Sequence, residues 1–285
     1  MKSIKICVAA ITAGVVCIAA MLGILSAAIY AENESGNSFI GLMYHQVLKD
    51  ESRAGKYIIT PNELESDLAY LSENGYVSVL PSQLVKIREQ GGRLPEKTVI
   101  ITFDDGYETG LYYVLPLLKK YGMKAVINVV GSYTDEYSRI NEEGKHLSYA
   151  YLTWNEIKTL SDSGYVEIGN HTYDMHSNNG DRNGCARKEN ESDEQYRTVL
   201  YEDVDRLSDK LQQVTGKRPV AFAYPFGSLS EGSAEIIGSA GISVFMTCCE
   251  QPCSMNRNGR IVINRYNRES GRTAQQICEE FNNAF

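Results

Sequence analysis

From residue 39 onward, short unbroken apolar runs take turns with stretches in which leucine, isoleucine and valine recur every three or four positions. The runs predict strands over residues 39–45, 76–80, 98–103, 125–130, 166–170, 220–227, 242–247 and 260–265. The spaced sets Leu64/Leu68/Leu71, Leu111/Val114/Leu118, Ile157/Leu160 and Leu200/Val204/Leu207/Leu211 predict amphipathic helices between them. Residues 82–90 add a short helix, and a terminal helix starts near Thr273. Two of these helices announce their first turn with a capping box, Thr60-Pro61-Asn62-Glu63 and Thr153-Trp154-Asn155-Glu156, while Gly75 and Gly164 mark where they stop. The strand TVIITF (98–103) has no polar face, as expected of a strand covered on both sides. Seven or eight strands alternating with helices predict an α/β fold in which the strands pair in parallel as a closed or nearly closed barrel. The residues at the C-terminal ends of its strands are then the ones to search for chemistry.

The first 38 residues follow a different pattern. Lys2 and Lys5 precede an uncharged apolar run from Ile6 to about Ala31, long enough to span a bilayer. Residues 1–31 therefore read as a signal anchor, or as a signal peptide, since Ser26 and Ala28 have the spacing of a cleavage site. A polar linker (32–38) and one catalytic domain (39–285) follow. Positive charge ahead of the span directs that domain out of the cytoplasm, at the cell surface if anchored or secreted if cleaved.

The net charge of −8, from 28 basic and 36 acidic side chains, leaves no basic footprint and argues against nucleic acid as a partner. Of seven cysteines, only Cys248, Cys249 and Cys253 cluster. An extracytoplasmic setting permits a disulfide there, but zinc would need a fourth ligand that the segment lacks, so a bridged or simply reduced pair is the expectation.

The strand ends carry His45, then Asp104 and Asp105, then His171 and His176, then Tyr224-Pro225-Phe226-Gly227, then Arg265. Three of the four histidines fall here, and His146 is left in a loop. Two imidazoles and one carboxylate make the three-ligand site with an open position that catalytic zinc prefers. A turn beginning at Gly106 would bring both carboxylates to one mouth, so that one Asp binds the metal and the other takes a proton from the activated water. Asp-Asp-Gly alone is an ordinary turn; its specificity comes from the two histidines at a neighbouring strand end. Trp154, beside a capping threonine, reads as core.

Together TFDDG, HTYDMH and AYPFG, in that order, resemble the polysaccharide deacetylases of carbohydrate esterase family 4, the NodB homology domain, over roughly residues 39–285. The resemblance implies a distorted (β/α) barrel and metal-dependent removal of acetyl groups from N-acetylated sugars. By position, Asp104 resembles the general base and Asp105, His171 and His176 the metal triad. The Phe226 N–H resembles the oxyanion donor, with Tyr224 beside it on the substrate side.

Three departures matter. The histidines are usually four apart, whereas here Met175 holds that position and His176 follows it; this spacing and the LMYH segment resemble the branch that acts on poly-β-1,6-N-acetylglucosamine. Ala223 replaces an arginine that the family places before its Pro-Pro-Tyr-Gly segment, and the C-terminal Leu-x-His triplet is missing. His45 is the candidate acid, because the first and last strands of a barrel are neighbours. Arg265 is the candidate partner of Asp104. The expected activity is Zn²⁺-dependent release of acetate from N-acetylglucosamine polysaccharide, exopolysaccharide or cell wall. Peptidoglycan deacetylation and a decayed carbohydrate-binding barrel are the alternatives.

Overall fold

The apolar runs come together as the staves of one parallel ring. A computed structural model describes residues 38–140, 146–178, 180, 182–255 and 259–283; the expected N-terminal span lies outside them. Among the described residues, no helix is long and apolar enough to cross a membrane. The ring strands are β1 (Ser38–Tyr44), β2 (Thr98–Phe103), β3 (Ala125–Val129), β4 (Val166–Asn170), β5 (Ala221–Ala223), β6 (Val244–Met246) and β7 (Ile261–Ile263). Each pairs in parallel with the next in that order.

The seam is made by the last segment, which pairs with two neighbours in succession. β7 lies along β6; the chain then bends at Asn264 and Arg265, and β8 (Tyr266–Asn267) pairs in parallel with β1 through Leu42 and Met43. The backbone comes so close here that a Cβ on Gly41 would sit 2.3 Å from the Asn264 carbonyl oxygen. Only glycine lets β1 meet the bend. The result is a nearly closed, distorted barrel of eight strands; the run predicted over 76–80 forms only the two-residue strand Val77–Ser78, which pairs with β2 outside this order, and β8 takes the eighth place.

Alternation along each strand sorts the core into two layers. Val99, Ile101 and Phe103 of β2 point out to the helices, as do Ala125, Ile127 and Val129 of β3, and they belong to one cluster. Ile100, Val126, Ala221, Ala223, Val244, Met246, Ile261 and Ile263 fill the barrel and belong to another. Small residues on two inner positions keep the barrel narrow.

The predicted helices form with the predicted buried faces: α1 (Pro61–Glu73), α2 (Trp154–Asp162) and α3 (Asp193–Thr215), with α4 (Ser233–Ser239) and α5 (Ala274–Asn282) behind them. Both capping boxes are present. The stretch holding Leu111, Val114 and Leu118 opens with a π-helical turn over Gly110–Val114 before becoming α-helical. The predicted strand over 220–227 stops at Ala223, because Pro225 has no N–H for the ladder and Phe226 turns left-handed (φ 59°). The five described cysteines are free thiols. Cys253 is buried and donates to the Asn264 carbonyl at 3.1 Å, its pKa pushed up by burial to about 12, which suits neither a bridge nor a zinc ligand.

A buried ion pair pins the C-terminal helix. Asp67 on α1 accepts from Arg268 Nε at 2.7 Å, from the Tyr44 hydroxyl at 3.1 Å and from the Ala274 N–H, the first residue of α5, at 2.9 Å. Both charges are at most 2 % exposed. Removing one partner strands the other in the core, so Asp67→Ala is expected to cost about 3–5 kcal/mol. Urea denaturation followed by circular dichroism measures this; a loss below about 1 kcal/mol would show that Arg268 finds water or another partner instead.

Candidate active site

The inward parity of each strand carries past its end. In β2 the inner positions run Ile100, Thr102, Asp104; in β1 they run Gly41, Met43, His45; in β4 they run Gly169, His171. Asp105 should by this rule face outward. It adopts φ 72° instead, followed by Gly106 at φ 73°, and this left-handed pair brings its carboxylate back to the mouth. Thr172 (φ 74°) and Phe226 (φ 59°) are the other described non-glycine residues with positive φ, so all three strained positions of this kind stand at the site.

Asp105, His171 and His176 converge. Asp105 Oδ1 lies 3.1 Å from His176 Nε2 and 3.4 Å from His171 Nε2, and the three ligand atoms fall within 4.8 Å of one another. His171 directs its Nε2 here because its Nδ1 bonds the Ala223 carbonyl at 2.8 Å. The Tyr133 hydroxyl donates to the His176 carbonyl at 3.1 Å and lies 3.4 Å from its Nδ1. Burial pushes the Asp105 pKa up, but its bonds to the two imidazoles outweigh that and hold it well below the usual carboxylate range. Two imidazole nitrogens and a carboxylate oxygen, oriented by outer hydrogen bonds, are a donor set that fits a divalent cation.

Asp104 is held separately. Its Oδ1 accepts from Arg265 Nη1 at 2.8 Å and from Asn128 Nδ2 at 2.7 Å. Burial alone would raise its pKa, yet the guanidinium brings it down to about 2. Arg265 is fully buried and anchored by its Nε on the Thr247 carbonyl (3.0 Å) and by Nη1 on Thr102 Oγ1 (3.1 Å). The expected pairing of Arg265 with Asp104 is therefore present in the structure. Both bonds fall on Oδ1, and no described residue bonds Oδ2.

Asn128 escaped the sequence reading. It sits in the apolar strand β3, yet it shares inward parity with Val126 and reaches Asp104 from the neighbouring strand. Gly169 on β4 gives it room: a Cβ there would lie 2.0 Å from Asn128 Oδ1. An isolated asparagine at an inner position, next to the strand that carries the Asp pair, is the signal that could have found it.

The remaining candidates line a cleft of about 550 Å³, where His45, Asp104, Asp105, His176 and Phe226 meet Tyr57. His45 packs edge-on against Tyr57, with ring centroids 4.7 Å apart. Its buried Nδ1 has no hydrogen-bond partner among the described residues, and burial lowers its pKa against the pull of Asp105 and Asp104. Phe226 is 47 % exposed and lays its ring against His176 at 4.7 Å. Tyr224 borders the cleft, but its ring is packed against Phe222 and Phe245 and its hydroxyl meets Ser233 Oγ at 3.3 Å, so its side chain serves the outer layer. His146 is exposed in a loop, and Trp154 packs half-buried against the core with its Nε1 on Asp135.

A parallel β/α barrel with three residues at its mouth that could hold a cation, flanked by a carboxylate whose second oxygen no described residue bonds, defines the class of protein. Residues 91–245 match the polysaccharide deacetylase family model, and the chain belongs to that family. It is 27% identical over 231 residues to the poly-beta-1,6-N-acetyl-D-glucosamine N-deacetylase of Escherichia coli K12, covering 74% of this chain and 34% of that one. The chain thus spans about a third of the length of that relative. The Staphylococcus aureus (strain MRSA252) protein of the same name is 23% identical over 234 residues, 78% of this chain and 76% of its own. Among solved structures, a de-N-acetylase from Aggregatibacter actinomycetemcomitans superposes with a TM-score of 0.73 at 25% identity, over 85% of this chain and 99% of that one.

Proposed function

We propose that the chain is a metal-dependent hydrolase that removes N-acetyl groups from an N-acetylglucosamine polysaccharide and releases acetate. The observation that carries this reading is the division of labour within the Asp pair. Asp105 joins two imidazoles in a cation site, while Asp104, one residue away, is excluded from that site and presents to the same cleft an oxygen that no described residue bonds. Poly-β-1,6-N-acetylglucosamine is the substrate we favour, because relatives of that name align with 74% and 78% of this chain. We place the domain outside the cytoplasm, tethered by residues 1–31 or released from them.

A bound divalent ion, Zn²⁺ in our reading, would polarise the acetamide carbonyl and lower the pKa of a water toward about 7. Asp105, His171 and His176 would hold it. Asp104 Oδ2 takes the proton from the attacking water. The Phe226 N–H donates to the oxygen on which negative charge develops, a contribution of about 3–4 kcal/mol when one such donor is lost. His45 gives a proton to the departing amine.

The test is acetate release from β-1,6-linked N-acetylglucosamine oligomers, from β-1,4-linked oligomers and from peptidoglycan, before and after dialysis against a chelator. We expect the β-1,6 oligomers to react fastest, release to stop on chelation, and added zinc to restore it. Release that survives chelation would remove the metal from the reading. Activity on none of the three would favour a binding barrel.

A further inference from the structure

Four residues, Thr172 to Met175, separate the two histidines, and this short loop sets the distance and angle between their imidazoles. Each of its backbone N–H groups is met by a side chain. Thr172 donates to Asn170 Oδ1 (2.8 Å), Tyr173 to Asp203 Oδ1 (2.7 Å), Asp174 to Asp203 Oδ2 (2.8 Å) and Met175 to Thr172 Oγ1 (3.2 Å). Consecutive N–H groups around a left-handed residue form a concave nest that attracts an anion. Here the anion is the Asp203 carboxylate, presented by α3. Asn170 ties the start of the same loop to α3 by donating to the Val204 carbonyl at 2.9 Å and Ser208 Oγ at 3.0 Å.

We infer that Asp203 is the positioning residue of the metal loop: its carboxylate, gripping two successive N–H groups, fixes where His176 stands relative to His171. Asp203 touches no ligand and lies on the far side of the loop from the cleft, where Arg206 stacks on Tyr173 and its Nη2 donates to the Tyr173 hydroxyl at 2.8 Å. Burial raises the Asp203 pKa to about 6 in spite of the two N–H donors, so the carboxylate is held there against its own desolvation. The inference rests on the metal site proposed above.

The experiment measures zinc affinity by chelator competition for the wild-type chain, Asp203→Asn, Asp203→Glu and Leu211→Ala. Leu211 is buried on the same helix two turns away, so its variant destabilises α3 without touching the loop. Asp203→Asn replaces one acceptor by an amide that faces an N–H. We expect its zinc affinity to fall about 10- to 100-fold, as for other supports of metal ligands, and the visible spectrum of the cobalt-loaded protein to change. Leu211→Ala should keep wild-type affinity despite its lower melting temperature. Wild-type affinity in Asp203→Asn, or an equal loss in Leu211→Ala, overturns the inference. If Asp203→Asn does not fold, Asp203→Glu carries the test, since it keeps the charge but displaces both oxygens: weakened zinc binding supports the inference and unchanged binding overturns it. A wild-type chain that binds no zinc refutes the metal site itself.

Discussion

Asp104→Asn is expected to lower acetate release by about 10³-fold or more while leaving one zinc bound per chain. The range for losing a general base is about 10²–10⁴-fold, and the upper part applies because the cleft offers no free carboxylate as a substitute. Asp105 is committed to two imidazoles, and Glu250, which also borders the cleft, is engaged by Arg272 and the Asn267 N–H. Zinc should stay because Asp104 contributes no atom to the donor set. With its pKa near 2, Asp104 is ionised throughout the neutral range, so protonation of this group would cost activity only in strong acid. It is also a weak base for the same reason. Its advantage must be position, and Asn128 and Arg265 supply that by occupying Oδ1 together. Arg265→Met should consequently slow turnover even though it strengthens the base. Metal analysis beside an acetate assay decides the matter: near wild-type turnover in Asp104→Asn would refute the assignment, and loss of zinc would move Asp104 into the metal site.

Much of this was legible in the sequence, for identifiable reasons. Strands of the ring are unbroken apolar runs because both faces are covered, and a pattern that depends only on burial is visible without coordinates. The capping boxes are local, so they formed as read. The Asp pair, the two histidines, His45 and Arg265 were found because charged or titratable residues at the ends of apolar strands stand out.

What was missed depends on pairing between distant segments. Asn128 looks like an interruption of an apolar strand until its parity is set beside that of Asp104. The seam at Asn264 and Arg265 requires knowing that one segment serves two neighbours. Asp203 lies on a polar helix face and gains meaning only from the loop folded over it. The helix Gly131–Tyr137 has too few apolar positions to register as periodic, and it forms because the chain must turn after β3. Tyr224 borders the cleft, as its neighbours in sequence suggest, while strand parity packs its ring against Phe222 and Phe245.

His45→Ala is expected to lower turnover by about 10²-fold or more and to change the shape of the pH profile. A general acid works only in its protonated form, so kcat/KM falls as pH rises through the pKa of His45 in the free protein. Burial sets that pKa below the ordinary histidine value of about 6.5. Asp105 and Asp104 pull it back up, and Arg265 and His171 push it further down. A cation in the adjacent site would add to the downward push. The descending limb assigned to His45 should therefore lie on the acid side of pH 6.5, where only a minority of molecules carry the proton at neutral pH. The small population is offset by strength: an imidazolium with a depressed pKa gives up its proton readily to a departing amine. In His45→Ala that limb should vanish and the remaining rate should vary little between about pH 5 and 7. His45→Gln, which keeps a polar group against Tyr57 but has no proton to give, should behave like the alanine variant. If either variant retains both the wild-type rate and the wild-type limb, His45 is a packed strand-end histidine and the amine leaves by taking its proton from elsewhere.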